Sequence, residues 1–180
     1  LETFMTLRNL REALRLYVIP DRKIGAPLSF KEQAELAVQG GATAIQLRDK
    51  ETDGGELFAV AKVLADICRR SDVLFIVNDR LDIAMACGAD GIHLGQSDLP
   101  VLEARRLVPK SFIVGASART AEEARSAEKD GADYLGVGAV FGTKSKDDAR
   151  VIELQGLRQL VGVTRLPLVA IGGITIENLP

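Results

Sequence analysis

The residues able to do chemistry in this chain gather just after short apolar runs. Gln46-Leu47-Arg48-Asp49-Lys50 closes one run, Asn78-Asp79-Arg80 the next, and His93-Leu94-Gly95-Gln96-Ser97-Asp98 the one after. Further on come Ser117-Ala118-Arg119-Thr120, the polar stretch Thr143-Lys144-Ser145-Lys146-Asp147-Asp148, and Gly172-Gly173. Carboxylates, cations, hydroxyls and glycine-bearing loops in this mixture suit an anionic phosphorylated ligand held jointly by Mg²⁺ and basic side chains. Mg²⁺ takes oxygen ligands and commonly uses one or two carboxylates plus phosphate oxygens. Asp79 and Asp98 are the candidates for that role. Arg48 can fork onto phosphate oxygens, while Lys50 and Lys146 act as point charges. Gly172-Gly173 allows a close approach to backbone amides, and Ser117 and Ser145 add hydroxyl donors.

Each of these residues also has a plainer reading. Asp79 and Asp98 both precede helical patterns, and Asp is a leading helix cap. Arg48, Asp49 and Lys50 would make an ordinary solvated salt-bridge cluster. Lys144 is read as solvated and Lys146 as functional. His93, the sole histidine, is read as orienting a loop rather than as a base. Cys68 and Cys87 lie in apolar segments without metal-ligand spacing, which points to two buried thiols in a reducing cytoplasm.

The elements that must position these groups alternate along the chain. Strands are expected over 14–19, 43–47, 73–77, 91–94, 112–114, 133–137 and 166–171. Helical spacing separates them: Phe30, Ala34, Ala37; Leu57, Val60, Leu64, Ile67; residues 82–87; Val101, Ala104, Val108; and Leu154, Leu157, Val161. Thr120-x-x-Glu123 reads as a capping box, and a last helix is expected to begin near Thr175. Gly41-Ala42-Thr43, Gly88-Ala89-Asp90 and Gly131-Ala132-Asp133 form a weak internal repeat, each closing a helix and opening a strand. Regular βα alternation implies parallel strands with right-handed crossovers, whose polar mouths lie at the strand C-termini. With no Gly-x-Gly-x-x-Gly fingerprint after any strand, a (β/α) barrel is favoured over an open doubly wound sheet.

Composition narrows the partners. The 180 residues carry 23 Lys+Arg against 25 Asp+Glu, so no basic excess points to nucleic acid or an anionic membrane. No run of 18 apolar residues predicts a membrane span. Aromatic content of 4% without Trp argues against a base-stacking platform.

The strand-end residues resemble the thiamine phosphate synthase family. The resemblance runs from Tyr17 to Thr175 through Gln46-Leu47-Arg48-Asp49-Lys50, Val77-Asn78-Asp79, Asp90-Gly91-Ile92-His93-Leu94-Gly95-Gln96-x-Asp98, Gly115-Ala116-Ser117, Gly136-x-Gly138-x-Val140-Phe141-x-Thr143-x-Ser145-Lys146 and Ile171-Gly172-Gly173-Ile174. It implies a TIM (β/α)8 barrel that joins 4-amino-5-hydroxymethyl-2-methylpyrimidine diphosphate to hydroxyethylthiazole phosphate with Mg²⁺. By that resemblance Gln46, Arg48, Lys50 and Asn78 hold the pyrimidine diphosphate, and Asp79 and Asp98 bind Mg²⁺. Ser117 and Lys146 contact the pyrimidine substrate and its diphosphate. Thr143, Ser145 and Gly172 bind the thiazole phosphate. Lys50, Ser117 and Lys146 are the catalytic candidates, and the loop over 142–150 is the expected cover.

The chain departs from the family pattern at Pro20, Ala139, Ser145 and Arg119, where the family usually has Thr, Pro, Thr and often His. Two alternatives remain beside the synthase. One is a thiazole tautomerase-like relative, whose acid–base His would stand where Arg119 is. The other is a non-catalytic phosphate-ligand binding barrel. Seven strands are readable in one barrel domain over 1–180, and the eighth has no counterpart before Pro180. That reading leaves the domain one βα unit short at its C-terminal end, with unpaired strand edges that admit a homo-oligomer.

Overall fold

A computed structural model describes residues 7–142 and 151–179. The expected residues Thr143, Ser145 and Lys146, and most of the loop expected as a cover, lie outside the described residues. The elements are α1 (Leu7–Ala13), β1 (Tyr17–Val18), α2 (Phe30–Gln39), β2 (Ala44–Leu47), α3 (Gly54–Arg70), β3 (Leu74–Asn78), α4 (Leu81–Cys87), β4 (Gly91–Leu94), α5 (Val101–Leu107), β5 (Ile113–Ala118), α6 (Ala121–Lys129), β6 (Tyr134–Gly138), α7 (Glu153–Val161) and β7 (Leu168–Ile171). Packing divides them into two compact units, one over 1–93 and 108–113, the other over 94–107 and 114–180.

In the first unit β1, β2, β3 and β4 pair in chain order, all parallel. Ile45, Leu47, Phe75, Ile76, Val77 and Ile92 are almost wholly buried, as is Leu64 of α3. β2 and most of β3 are covered on both faces, which is why they read as continuous apolar runs. In the second unit β5, β6 and β7 are likewise parallel and in chain order. Its core joins Ala116, Ala118, Leu135 and Val137 to Ala124, Ala127 and Leu160 of the helices. Alternating helices and parallel strands in chain order are the expected (β/α) barrel class.

The internal repeat is a built device. In all three copies the glycine is left-handed, with φ of 90°, 72° and 95° at Gly41, Gly88 and Gly131. The following alanine donates its N–H to the carbonyl five residues back, Ala42 to Ala37, Ala89 to Ala84 and Ala132 to Ala127. This is the Schellman helix ending, which a left-handed glycine permits. The third residue then grips the preceding strand, or for Thr43 the residue just before it, at two points. Thr43, Asp90 and Asp133 donate their N–H to the carbonyls of Leu16, Phe75 and Val114. Their side-chain oxygens accept the N–H of those same three residues at 2.8 Å each. The repeat therefore ends a helix and sets strand register in three residues.

Several expected elements differ in extent. β1 covers only Tyr17–Val18 because Leu14 continues the turn of α1, its N–H donating to the Leu10 carbonyl. β5 runs to Ala118 rather than ending at 114. The residues after Thr175 make a single turn closed by Asn178, whose Oδ1 accepts the Thr175 N–H at 2.8 Å, rather than a helix.

Candidate functional site

In the first unit the candidate residues share one end of the sheet. Gln46 is buried in β2, and its Nε2 donates to the Tyr17 hydroxyl at 2.7 Å. Arg48 follows β2, half-buried, with no ion pair among the described residues. Lys50 lies beyond it, its Nζ 3.0 Å from Oδ2 of Asp79. Asn78 ends β3 opposite His93 in register. Asp79 comes next, and its N–H donates to the His93 carbonyl at 2.9 Å.

Asp79 is left-handed, with φ of 59°. Non-glycine residues avoid that region, though Asp tolerates it better than most. The conformation lets the chain leave β3 sharply. Helix α4 begins from Arg80 without a side-chain cap, and the Asp79 carboxylate faces Lys50 instead. The Asp79 carboxylate is thus held beside a cation at the turn into α4. Arg80 turns outward onto Asp82 at 2.6 Å.

In the second unit the Asp98 carboxylate closes its own loop, Oδ2 accepting the Gly95 N–H at 2.7 Å. Two residues before Asp98, Gln96 donates from Nε2 to the Ser117 carbonyl at 2.5 Å. Gln96 thus ties the Asp98 loop to the end of β5, a role that sequence reading missed although Gln96 lies in the family stretch. Arg119 donates its N–H to Oε2 of Glu123 at 2.6 Å, inside the expected capping box at Thr120.

Gly172 and Gly173 press against the chain leaving β6. A Cβ on Gly172 would stand 2.6 Å from that of Ala139, and one on Gly173 would stand 2.4 Å from the Gly142 carbonyl oxygen. Both are left-handed, with φ of 98° and 64°. Phe141 donates its N–H to the Gly172 carbonyl at 2.9 Å. Only glycine suits both conformation and space here, and the result is a close-backed loop that brings main chain to the surface.

Among the described residues no group of three His, Cys, Asp or Glu is arranged to hold a metal. Mg²⁺ requires only one or two carboxylates when phosphate and water supply the rest. Cys68 and Cys87 are free and buried, and burial pushes the Cys68 thiol up to about 12. No described helix is long and apolar enough to cross a membrane.

The thiamine monophosphate synthase family profile matches residues 16–180. The chain belongs to that family. It is 55% identical to a thiamine-phosphate synthase of Coprothermobacter proteolyticus over 97% of this chain and 82% of that one. It is 49% identical to the Pyrococcus furiosus thiamine-phosphate synthase over 94% of this chain and 80% of that one. A solved thiamine phosphate pyrophosphorylase from Pyrococcus furiosus superposes with a TM-score of 0.87 at 48% identity, covering 94% of this chain and 80% of that one. Gln46, Arg48, Lys50, Asn78 and Asp79, which carry part of the resemblance, stand at or just after the ends of β2 and β3 in the first unit.

Proposed function

We propose that this protein is a thiamine phosphate synthase, a transferase that couples 4-amino-5-hydroxymethyl-2-methylpyrimidine diphosphate with hydroxyethylthiazole phosphate. The products are thiamine phosphate and diphosphate. The observation that carries the reading is the Lys50–Asp79 pair at 3.0 Å, set beside Gln46, Arg48 and Asn78 at one sheet end. A cation and a carboxylate side by side suit a diphosphate that arrives with a divalent ion.

In this reading Gln46 and Asn78 orient the pyrimidine, and Arg48 and Lys50 take the diphosphate oxygens. Lys146 and Ser117 act on the same substrate. Thr143, Ser145 and Gly172 receive the thiazole phosphate. Asp79 and Asp98 are hard oxygen donors of the kind Mg²⁺ selects, and we assign them as its protein ligands. Bound there, Mg²⁺ would supply charge neutralisation for the diphosphate. The substitution is dissociative: the C–O bond to diphosphate breaks, the aminopyrimidine stabilises the resulting carbocation, and the thiazole nitrogen attacks it. Such a reaction needs little general base. It needs preorganised positive charge on the leaving group, which Arg48, Lys50 and Lys146 provide, and exclusion of water from the cation. Two buried thiols fit a reducing cytoplasm.

Asp79→Asn tests the assignment. Asn also tolerates the left-handed backbone, so folding survives while the charge is lost. We expect Mg²⁺-dependent formation of thiamine phosphate to fall by at least about 100-fold, as for loss of one electrostatic partner of a transition state, with an unchanged circular dichroism spectrum. Activity within a few-fold of the parent protein would remove Asp79 from the metal site.

A further inference from the structure

We infer that Arg22 and Asp49 are positioning residues, a clasp behind the diphosphate-binding cations that aims Arg48 and Lys50; the inference rests on the synthase reading above. Asp49 stands between those two cations in the chain, yet it is far more buried than Lys50. Its side chain is only 6% exposed, against 53% for Lys50. It turns into the loop while Lys50 turns out to Asp79.

The Asp49 carboxylate is held from several directions. Arg22 donates to Oδ2 from Nε at 3.2 Å and from Nη2 at 2.7 Å. Thr52 donates its hydroxyl to the same oxygen at 2.6 Å, and the Glu51 N–H donates to Oδ1 at 3.1 Å. Burial disfavours the charge on Asp49, but the bonds from Thr52, Arg22 and Glu51 outweigh it and hold the carboxyl below its ordinary range. The segment carrying Arg48 and Lys50 is thereby tied down at its middle residue.

The anchor is itself rigid. Asp21 Oδ1 accepts the N–H groups of Lys23 and Ile24 at 2.8 Å each. Gln33 of α2 accepts the Asp21 N–H at 3.1 Å and donates to the carbonyls of Asp21 and Leu28 at 3.1 and 3.0 Å. A Cβ on Gly25 would stand 2.2 Å from the Gln33 carboxamide, so this loop wraps tightly around it. Arg22 also lies over the Phe30 ring, 5.4 Å from its centroid, and donates to Thr52 at 2.8 Å. A chain of contacts thus runs from α2 through the loop after β1 to the loop after β2. Nη2 donates to both Asp49 and Thr52 while Nε adds a second bond to Asp49, a two-nitrogen grip that the single Nζ of a lysine does not reproduce, which makes Arg22 poorly replaceable by Lys.

The test compares the parent protein with Arg22→Ala, Arg22→Lys, Asp49→Asn and the Arg22→Ala/Asp49→Asn double variant. Synthase kinetics are run with each substrate varied in turn. Calorimetric titration with inorganic pyrophosphate and Mg²⁺ is run in parallel, with melting temperatures recorded. Expected are a rise of about tenfold or more in KM for the pyrimidine diphosphate, a comparable loss of pyrophosphate affinity, and KM for the thiazole phosphate within twofold. Arg22→Lys should recover only part of the loss, and the double variant should be no worse than the worse single one. Folded variants with parental pyrophosphate affinity and parental KM for the diphosphate would overturn the clasp. So would equal losses for both substrates, which indicate a general structural role. If the parent protein binds pyrophosphate but makes no thiamine phosphate, the synthase reading fails while the titration still judges the clasp. If it does neither, both fall.

Discussion

Replacing Asp133 by Ala probes whether the internal repeat sets strand register. Its carboxylate accepts the Val114 N–H at 2.8 Å and pairs with Arg105. Val114 is wholly buried, so the substitution orphans an amide inside the second unit. An unsatisfied buried donor costs about 1–3 kcal/mol. The Asp133 side chain is 38% exposed, which lets water reach part of the vacated space and favours the lower half of that range. The ion pair adds up to about 1 kcal/mol, as for partly exposed pairs. Arg105 keeps its bonds to the Gly131 carbonyl at 3.1 and 2.9 Å, so it is not stranded. The sum is about 2 kcal/mol, equivalent to roughly 4–8 °C of melting temperature for a chain of this size. Asp133→Asn keeps the acceptor for Val114 and loses only the charge, so it should cost less than about 1 kcal/mol. Thr43→Val should also be mild, because Leu16 is 47% exposed and water can take over its N–H. Urea unfolding followed by circular dichroism ranks the three. Asp133→Ala within about 0.5 kcal/mol of the parent, or no more costly than Thr43→Val, would refute the register role.

Two further outcomes follow from burial. Desolvation raises the Asp90 carboxyl above its ordinary 3.8, aided by Asp72 and opposed by its bond from Phe75 and by Arg69. The fold therefore favours the protonated acid, and this group's contribution to stability falls as pH rises from 3.8 through the raised value. Asp90→Asn removes that dependence, so from pH 7 to pH 3.5 the stability difference should move in the parent's favour; a difference constant over that interval would contradict it. The second outcome concerns the thiols. With Cys68 pushed up to about 12 by burial and Cys87 raised by the same cause, neither should react with a thiol-directed disulfide reagent in the native protein, and both should react in denaturant. Rapid native labelling of either would show that its segment opens readily.

The legible parts of this chain are those whose cause is local. The continuous apolar run of β3 and the glycine–alanine–acid endings of α4 and α6 carry their structure in five to seven neighbouring residues, and they were readable as such. β5 was under-read because Gly115, Ala116, Ser117 and Ala118 are small and weakly β-forming. What makes them a strand is distant: the Tyr134 ring lies where a Cβ on Gly115 would stand, 2.2 Å away. The capping box at Ser29 and Glu32 is as local as the one at Thr120, but the apolar spacing of Phe30, Ala34 and Ala37 marks only the body of the helix and not its first turn.

The candidate site divides along the same line. Residue types at the strand ends announced a phosphate-handling cluster, since Gln46, Arg48, Lys50, Asn78 and Asp79 follow their strands directly. What each residue does there depends on partners that no local pattern reveals. The φ of 59° at Asp79 is set by where β3 must hand over to α4, not by Asp itself. Asp49 looked interchangeable with its charged neighbours until Arg22, 27 residues earlier, proved to hold it. A run of alternating charge after a strand is therefore better read as two populations. One faces the ligand and stays exposed. The other is buried against the preceding loop and sets the first in place, and a carboxylate that is 6% exposed between a half-buried Arg48 and an exposed Lys50 is the mark of the second.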